Sequence, residues 1–447
     1  MHPAPPPWRT LAILFTGVFM AVLDTFIVFV AAPAIRTDLG ASPAELQFLL
    51  AGYQLAYAVA LVTFARLGDR YGRKPVFLAG LLVFSLSSAA CAAAPDAGWL
   101  VAARFVQGLG AAAMFPQVLA MIHVVVPGPH RPRAFAVLGA VIGLSGVTGQ
   151  LLGGVLVTAN LFGSPWRPIF WVNVPLGLIT LALAARFLPR TRPNGAARLD
   201  LRGTAVLTVA LSLLVVPLVV GREAGWPLWS WCSLACGGLA MAVFAAVERR
   251  VPAPLVRPGL VRQREFRLGM CLVLLTYAGI NSFFLVLSLA LQDGLGLSPL
   301  AAALTYLPFA AAFLSMSLLG SRVGRAPLAG AATAGAGYAV LITLSATLGT
   351  GWSFVPALLL IGAGQGLLVP PLLNHVLSAV PRADAGTASG VLATGQQIGG
   401  ALGVAVVGAV YYSALDGSPL HALALACGGI LALTAGAIAV LRLLPRN

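Results

Sequence analysis

The sequence predicts an all-α polytopic membrane protein with fourteen membrane-spanning helices. Hydrophobic residues make up 59% of the 447 residues and charged residues 9%, with a mean hydropathy of +0.95. Soluble domains carry about a quarter charged residues, so lipid must solvate this chain. Its apolar runs are continuous and reach the ~20 residues that cross a bilayer as a helix, which disfavours a β-barrel. In addition, its Arg residues concentrate in every second predicted loop.

The apolar runs place the predicted helices in order along the chain. The first six are predicted at residues 11–33, 45–64, 75–94, 99–122, 134–158 and 168–188. Two more are predicted at 203–220 and 229–247. The last six are predicted at 267–290, 300–320, 327–348, 353–377, 388–413 and 420–443.

The two longest predicted loops, 189–202 and 248–266, are rich in Arg and Pro and bracket the seventh and eighth helices. We therefore expect an N-terminal six-helix bundle (1–190), two additional helices with cytoplasmic linkers (191–262) and a C-terminal six-helix bundle (263–447). Two pseudo-symmetric six-helix halves are what a secondary transporter requires, with a binding site near the bilayer midplane between them.

Loop charges predict the orientation of the helices. Of the 27 Lys and Arg residues, 23 fall in loops or tails on one side of the predicted membrane. The exceptions are Arg36, Arg167 and Arg222 in opposite loops and Arg104 inside a helix. The positive-inside rule then places both termini in the cytoplasm. A missed helix would reverse this bias downstream, and no reversal occurs.

The same distribution excludes other function classes. The net charge of +15 comes from short clusters between apolar runs, with no basic domain that would bind nucleic acid. The five cysteines all lie within apolar runs, and Cys232 and Cys236 lack the further ligands that a zinc site needs. No metal or cofactor is expected.

The strongest motif is the loop after the second helix, residues 65–74. A positive-inside cluster alone would explain its cations, but not the embedded Asp69 or the paired Gly68 and Gly72. Glycines permit a tight turn at the membrane face, and charge-assisted hydrogen bonds would hold Asp69 among the cations.

This loop resembles the signature loop of the major facilitator superfamily, and further segments resemble motifs of its fourteen-spanner drug:proton antiporter family. The segments are Leu23–Pro33 in the first helix, Ala103–Gly110 in the fourth, Gly143–Gly154 in the fifth, and Trp166–Pro175. The resemblance covers nearly the whole chain and implies a major facilitator fold, with no particular substrate.

The resemblance also implies roles for two groups of residues. A conformational latch is expected at Gly68, Asp69, Arg70, Gly72, Arg73 and Lys74. The antiporter motif comprises Gly143, Gly146, Gly149, Gln150, Gly153 and Gly154. Three positions depart from the family pattern. Ala65 replaces the first glycine of the signature loop, Gln150 stands where proline is usual, and the second signature copy, at 320–325, lacks its acid.

Asp24 is the only acidic residue well inside a predicted helix, and Arg104 is the only basic one. An intramembrane ionisable residue is costly and is a functional candidate by default. At 1.5 Å per residue, both lie about 20 Å from the cytoplasmic ends of their helices, so they could meet. A static ion pair that fixes helix packing is the alternative. We favour proton coupling, because exchange of a proton for an ion-pair partner supplies what an antiporter needs.

Polar residues within other helices are candidates for a substrate cavity or for hydrogen bonds between helices. The cavity candidates are Tyr53, Gln54, Tyr57, Gln107, Asn281, Gln365 and Gln397. Glycines at intervals of three and four in the fifth helix allow close helix approach, which suits halves that rock against each other.

We therefore expect a proton-coupled antiporter that exports amphipathic drugs or natural products by alternating access. The expected setting is a monomer in a bacterial cytoplasmic membrane, with a small molecule, protons and lipid as partners. A dedicated exporter of one metabolite or lipid, or an importer, stays open. A membrane-embedded transferase is disfavoured, because the external loops offer only scattered carboxylates and no H-E-x-x-H or Walker pattern. We do not expect an enzyme.

Overall fold

The computed structural model describes residues 8–191, 201–248, 263–319, 326–347, 351–378, 385–415 and 418–443. Within these ranges the regular secondary structure is helical, and fourteen helices are long and apolar enough to cross a membrane. Each of the fourteen predicted helices is present, so the predicted all-α membrane fold is confirmed. The second signature copy, at 320–325, lies outside the described residues.

The helices fall into groups of six, two and six along the chain. The first group is α1 (Trp8–Leu39), α2 (Pro43–Tyr71), α3 (Arg73–Ala92), α4 (Ala97–Val125), α5 (Arg131–Ala159) and α6 (Pro168–Trp171 and Asn173–Phe187). The middle pair is α7 (Leu201–Val220) and α8 (Leu228–Glu248). The last group is α9 (Arg264–Leu289, continuing as a π-turn over Ala290–Gly294), α10 (Pro299–Thr305 and Leu307–Leu319), α11 (Ala326–Thr347), α12 (Val355–Ser378), α13 (Ala385–Ser413) and α14 (Pro419–Leu443).

Two helices are interrupted where proline removes a backbone donor. In α6, Pro175 has no N–H to donate to the carbonyl of Trp171, and the helix breaks at Val172. In α10, Pro308 likewise cannot donate to Leu304, and the break falls at Tyr306.

Contacts between helices repeat with an offset of eight helices. In the first group α2 and α3 pack on α4, α1 packs on α5, and α3 packs on α6. In the last group α10 and α11 pack on α12, α9 packs on α13, and α11 packs on α14. The sequence repeats too: Thr148–Gly154 and Thr394–Gly400 both read Thr-Gly-Gln-x-x-Gly-Gly. The two groups are therefore structural repeats of each other.

The two groups meet at α1 and α9 and along two seams, which the offset of eight relates to each other. One seam joins α2 to α13, and the other joins α5 to α10. The middle pair, α7 and α8, packs beside the first seam, where Leu207 and Leu211 join Leu55 and Val59 of α2 in one apolar cluster.

Because the number of spans is even, α1 begins and α14 ends at the same face, which we call the terminal face; the opposite one is the distal face. Polar contacts between the two groups lie near the distal face. Arg36 Nη2 lies 2.9 Å from Asp293 Oδ2, and Gln292 Nε2 donates to the carbonyl of Val30 at 2.9 Å. The distal ends of the two groups are thus held together.

Candidate functional site

Asp24 of α1 and Arg104 of α4 form an ion pair inside the first group of helices. Arg104 Nη1 donates to Asp24 Oδ2. The exposed fraction is 0% for the Asp24 side chain and 1% for Arg104. The predicted meeting of these two charges is therefore observed, and the pair is sealed from solvent in this conformation.

Two amide side chains complete the surroundings of the carboxylate. Gln107 Nε2 and Asn173 Nδ2 each donate to Asp24 Oδ1 at 2.8 Å. Gln107 Nε2 also lies 2.7 Å from Ser88 Oγ, and Gln107 Oε1 accepts from Arg104 Nη1 at 2.6 Å. The carboxylate thus accepts hydrogen bonds from Arg104, Gln107 and Asn173, on helices α4 and α6.

Arg104 has further partners besides Asp24. Its Cζ lies 4.2 Å from the centroid of the Tyr53 ring, which is a cation–π contact. Its Nε donates to the carbonyl of Leu49 at 3.4 Å. The Tyr53 hydroxyl donates in turn to the carbonyl of Ala21 at 3.1 Å, which fixes the ring under the guanidinium. Arg104 therefore keeps several favourable contacts on its own side of the pair.

Glycines one turn or more beyond Arg104 set its position. A Cβ on Gly110 would lie 2.7 Å from the backbone nitrogen of Phe84, and one on Gly108 would lie 3.1 Å from the carbonyl carbon of Tyr53. Only glycine allows α4 to approach α2 and α3 this closely. The Arg104–Gly110 segment therefore places the guanidinium between these helices.

Ser88 and Asn173 were not predicted to belong to this site. Gln107 was predicted as a possible substrate-cavity residue, and the structure shows it fully buried and bonded to both members of the ion pair. The spacing of Arg104 and Gln107 was the available signal, since residues three apart share a helix face.

The signature loop packs within the first group of helices. Gly68, Asp69 and Arg70 belong to the last turn of α2, and only Gly72, with φ of 94°, forms the turn. The expectation of a turn built from both glycines was therefore wrong. Gly68 is needed for packing, because a Cβ there would lie 2.7 Å from Gln117 Cδ of α4.

The charged residues of this loop form an ion pair within it and hydrogen bonds to the end of a neighbouring helix. Asp69 Oδ1 pairs with Arg73 Nη2 at 2.8 Å. Lys74 Nζ donates to the carbonyls of Ala185 and Leu188 at 2.6 and 2.8 Å, so it caps the end of α6. A cation suits that position, because a helix ends in unsatisfied carbonyls and a partial negative charge. Arg70 lies over the ring of its neighbour Tyr71.

The other cavity candidates fall into separate places. Tyr53 and Tyr57 are buried against α4, and their rings meet edge to face at 6.1 Å between centroids. Gln54 and Asn281 both reach the backbone of Gly400, at the contact of α2, α9 and α13.

Gln365 lies elsewhere, beside Thr276 and Thr434 in the last group of helices, and Gln397 is half-buried on α13. The structure therefore does not gather these candidates into one pocket, and their contact with a substrate stays a prediction.

The glycines of α5 lie against two different helices. A Cβ on Gly149 would lie 2.7 Å from the carbonyl oxygen of Leu23, and one on Gly153 would lie 3.1 Å from that of Ile27, both on α1. A Cβ on Gly154 would lie 2.6 Å from Ala303 Cβ of α10. The motif therefore permits close packing within the first group and between the groups.

The described part of the chain contains no candidate metal site, because no three His, Cys, Asp or Glu residues lie together there as metal ligands would. Cys91 lies near the ion pair, with its Sγ 3.8 Å from Gln107 Oε1, and is fully buried.

Comparison with known proteins gives consistent matches over most of the chain. A family model described as Major Facilitator Superfamily matches residues 14–404. The chain is 39% identical over 430 residues to the probable actinorhodin transporter of Streptomyces coelicolor, covering 92% of this chain and 74% of that protein. It is 39% identical over 427 residues to the cephamycin export protein CmcT of Amycolatopsis lactamdurans, covering 92% and 86%. It is 33% identical over 407 residues to the multidrug resistance protein Stp of Mycobacterium tuberculosis, covering 90% and 75%.

Solved structures match the fold. A crystal structure of a peptide transporter POT in complex with sulfate superposes with a TM-score of 0.68 at 16% identity, covering 98% of this chain and 95% of that one. At this identity the likeness concerns the fold alone.

Proposed function

This chain belongs to the Major Facilitator Superfamily, and we propose that it is a proton-coupled antiporter that exports amphipathic drugs or natural products by alternating access. Transport, rather than catalysis, follows from the family. Export is supported by relatives that are named as antibiotic and multidrug exporters. The observation that carries proton coupling is the sealed Asp24–Arg104 pair.

Asp24 is the proposed proton acceptor. It is fully buried, and such a carboxylate stays charged only while its partners compensate the loss of water. Binding a proton removes its attraction to Arg104, so a conformation that separates them becomes accessible. Returning to the sealed conformation expels the proton. The antiport cycle needs this exchange of a proton for an ion-pair partner.

The partners of the pair fit both protonation states. When Asp24 is neutral, Arg104 keeps its contacts with Gln107 Oε1, the Tyr53 ring and the carbonyl of Leu49, and these contacts stabilise its buried charge. Asn173 Oδ1 is buried without a partner. In the proposed cycle the amide of Asn173 rotates, and this oxygen then accepts the hydrogen bond of the protonated carboxyl.

The halves that rock in this cycle are residues 1–190 and 263–447. In the proposed cycle this conformation is the one that is closed at the distal face, because the described polar contacts between the halves lie there. The terminal face is the cytoplasmic one, because it carries most of the positive charge. The protein acts as a monomer in the bacterial cytoplasmic membrane.

The signature loop acts as the latch of the opposite conformation. Here Asp69 is bonded within its own group of helices, to Arg73, and its side chain is 44% exposed at the terminal face. Closure of that face would bring the second group of helices to Asp69. Until then Arg73 holds Asp69 in place, and Lys74 holds the loop to the end of α6.

Substrate-dependent proton movement in proteoliposomes tests the proposal. Wild-type protein, with a pH gradient imposed, is expected to accumulate a dye such as ethidium against its gradient and to release protons in exchange. The Asp24→Asn variant is expected to lose gradient-driven transport while it stays folded and still exchanges dye for dye. Full gradient-driven export by Asp24→Asn would contradict the proposed role of Asp24.

A dedicated exporter of a single natural product is the second candidate. The relatives named for actinorhodin and cephamycin favour it. Screening dyes, antibiotics and aromatic metabolites in the same vesicles separates the two candidates. A response to one structural class alone would support the dedicated exporter.

A further inference from the structure

The two seams between the halves are equivalent by the eight-helix offset but are covered differently. The α2–α13 seam lies under α7, which contacts both helices. Met241 and Phe244 of α8 and Ile398 of α13 pack on the cluster of α2 and α7 residues. Thr63 and Thr204 join α2 to α7 through hydroxyl groups 2.8 Å apart. No helix in the described part of the chain occupies the same place over the α5–α10 seam.

Residues on both sides of the covered seam are buried where the structure describes them. On α2, Gln54 is 1% exposed and Leu61 is 0% exposed. On α13, Ala393 is 7% exposed, and a Cβ on Gly390 would lie 3.8 Å from Leu61 Cδ2. This contact continues into the terminal half of the helices.

The uncovered seam instead opens towards the terminal face. The stripe of α5 that faces α10 is buried at Gly154 and Gln150, half-buried at Val147 and Gly143, and exposed at Gly139. Helix α5 packs closely on the distal part of α10, Pro299–Thr305, and makes few contacts with its terminal part, Leu307–Leu319. On α10, Ala303 and Ala310 are buried, whereas Leu307 and Leu314 are 40% and 41% exposed and Leu318 is 80% exposed. The two helices therefore diverge as a wedge with apolar walls.

Gln150 lies at the narrow end of this wedge. A Cβ on Gly143 would contact Leu314, one on Gly154 would contact Ala303, and both intervals span eleven residues. At this register Gln150 stands opposite Leu307, beside the break of α10. It is 3% exposed, yet neither Oε1 nor Nε2 has a hydrogen-bond partner. A buried amide without partners is costly, so it calls for a ligand or a second conformation.

The equivalent of Gln150 in the second copy of the Thr-Gly-Gln motif is Gln396. Gln396 is half-buried, and its side chain lies near the hydroxyl of Tyr277 of α9. Gln150 is the more deeply buried of the two amides, and neither of its polar atoms has a partner.

We propose that substrate enters laterally from the membrane leaflet at the terminal face, through the α5–α10 seam, and that Gln150 hydrogen-bonds it at the inner end. The apolar walls and the amide fit a lipid-soluble amphiphile that offers the amide a hydrogen-bonding group. The α7–α8 pair closes the equivalent route on the other side, so entry from the leaflet is one-sided. This inference rests on the proposed export function.

Photolabelling tests the seam without requiring transport. The full chain, in nanodiscs of phosphatidylethanolamine and phosphatidylglycerol, is irradiated with a membrane-confined aryl diazirine, and labelled residues are mapped by mass spectrometry. We expect label at Gly143, Val147 and Leu314, and none at Leu61 or Gly390. Hoechst 33342, a dye that partitions into bilayers, should reduce the label in the α5–α10 seam. Equal labelling of both seams, or an unlabelled α5–α10 seam, would overturn the proposal.

A matched pair of substitutions tests the route. Gly143→Leu fills the open seam towards Leu314, and Gly390→Leu adds the same side chain at the covered seam towards Leu61; both have 3.8 Å to that leucine from the new Cβ. We expect Gly143→Leu to slow binding of Hoechst 33342 from the bilayer about tenfold, the equivalent of about 1.4 kcal/mol in the barrier. Gly390→Leu should change this binding rate by no more than about twofold relative to wild type. Equal effects would contradict one-sided entry.

Gln150→Leu tests the amide. We expect the dissociation constant of Hoechst 33342 to rise about fivefold to tenfold, as for one lost hydrogen bond, with thermal stability maintained. An unchanged dissociation constant would remove Gln150 from the site. If the wild-type protein is labelled in the α5–α10 seam but exports no dye, the proposed function fails and lateral entry stands. If it exports dye but its α5–α10 seam is unlabelled, lateral entry fails and the proposed function stands.

Discussion

Neutralising the Asp24–Arg104 pair in single and double variants separates its contribution to folding from its contribution to transport. Asp24→Asn leaves the Arg104 cation fully buried, and removal of one partner from a buried pair costs about 3–5 kcal/mol. Because Arg104 keeps the Tyr53 ring at 4.2 Å and Gln107 Oε1 at 2.6 Å, we expect the lower end of that range. Arg104→Met should cost more, since it leaves the carboxylate with only the amides of Gln107 and Asn173.

The double variant Asp24→Leu, Arg104→Met removes both charges and leaves no buried ion. Apolar replacement of a buried pair is often neutral or stabilising, so we expect the free energy of unfolding to lie within about 1–2 kcal/mol of the wild-type value. The free energy of unfolding is measured by circular dichroism in mixed micelles, and transport by dye uptake with and without a pH gradient. The double variant should fold, exchange dye for dye, and respond to no pH gradient. Strictly additive losses in the double variant, or retained proton-driven uptake, would refute the reasoning.

Three further predictions concern the packing of the halves and the latch. Gly68→Ala should lower the free energy of unfolding by about 1–3 kcal/mol, because a Cβ 2.7 Å from Gln117 Cδ displaces this amide from its hydrogen bond to the carbonyl of Phe64. Thermal unfolding in detergent measures this, and an unchanged midpoint would show that the hydrogen bond is kept. Lys74→Met removes two hydrogen bonds to the carbonyls at the end of α6 and should cost about 1–3 kcal/mol in the same assay, with Lys74→Arg recovering part of it. Asp293→Asn breaks a partly exposed ion pair with Arg36 that is worth about 0–1 kcal/mol. It should therefore shift the equilibrium towards opening of the distal face by up to about fivefold. Distances between spin labels at the distal ends measure the shift, and a shift towards closure would contradict a role in holding that face together.

The helices could be predicted from the sequence because lipid leaves little freedom. Each span must satisfy its own backbone, so every apolar run of sufficient length becomes a helix. The ends were less predictable. Helix α1 continues past the predicted end at residue 33 to Leu39, through Arg36 and Asp38. These charged residues are tolerated because partners on other segments hold them: Asp293 pairs with Arg36, and Trp166 Nε1 donates to Asp38 Oδ2 at 2.7 Å.

The charged residues of the candidate site could be predicted, because charges are rare inside membrane helices. Asp24 and Arg104 were the only acidic and the only basic residue deep in apolar runs, and a buried charge requires a partner. Ser88 and Asn173 carry no such signal, since neutral polar residues in membrane helices commonly serve packing. Their place at the site depends on the rotation of α3 and α6 about their axes, which one sequence does not specify.

The internal repeat was present in the sequence and would have predicted more than the motifs did. The two Thr-Gly-Gln-x-x-Gly-Gly segments identify α5 and α13 as equivalent helices. The repeated Ser42-Pro43 and Ser298-Pro299 pairs do the same for α2 and α10, and both serines cap their helices. These equivalences predict both seams. The different cover of the seams follows only from where α7 and α8 pack, which the repeat cannot indicate because they have no counterpart.

Helix α1 physically joins the ion pair to the contacts between the halves. Asp24 faces α4 and α6, while Phe26 and Ile27, two and three residues further along the same helix, pack against the glycines of α5. The Phe26 ring also meets Phe284 of α9 edge to face, at 5.0 Å between centroids. A rigid helix cannot move at Asp24 without moving at Phe26, less than one turn away. Protonation at a site enclosed in one half can therefore act on the junction of both halves through a single element, with no ionisable group required between them.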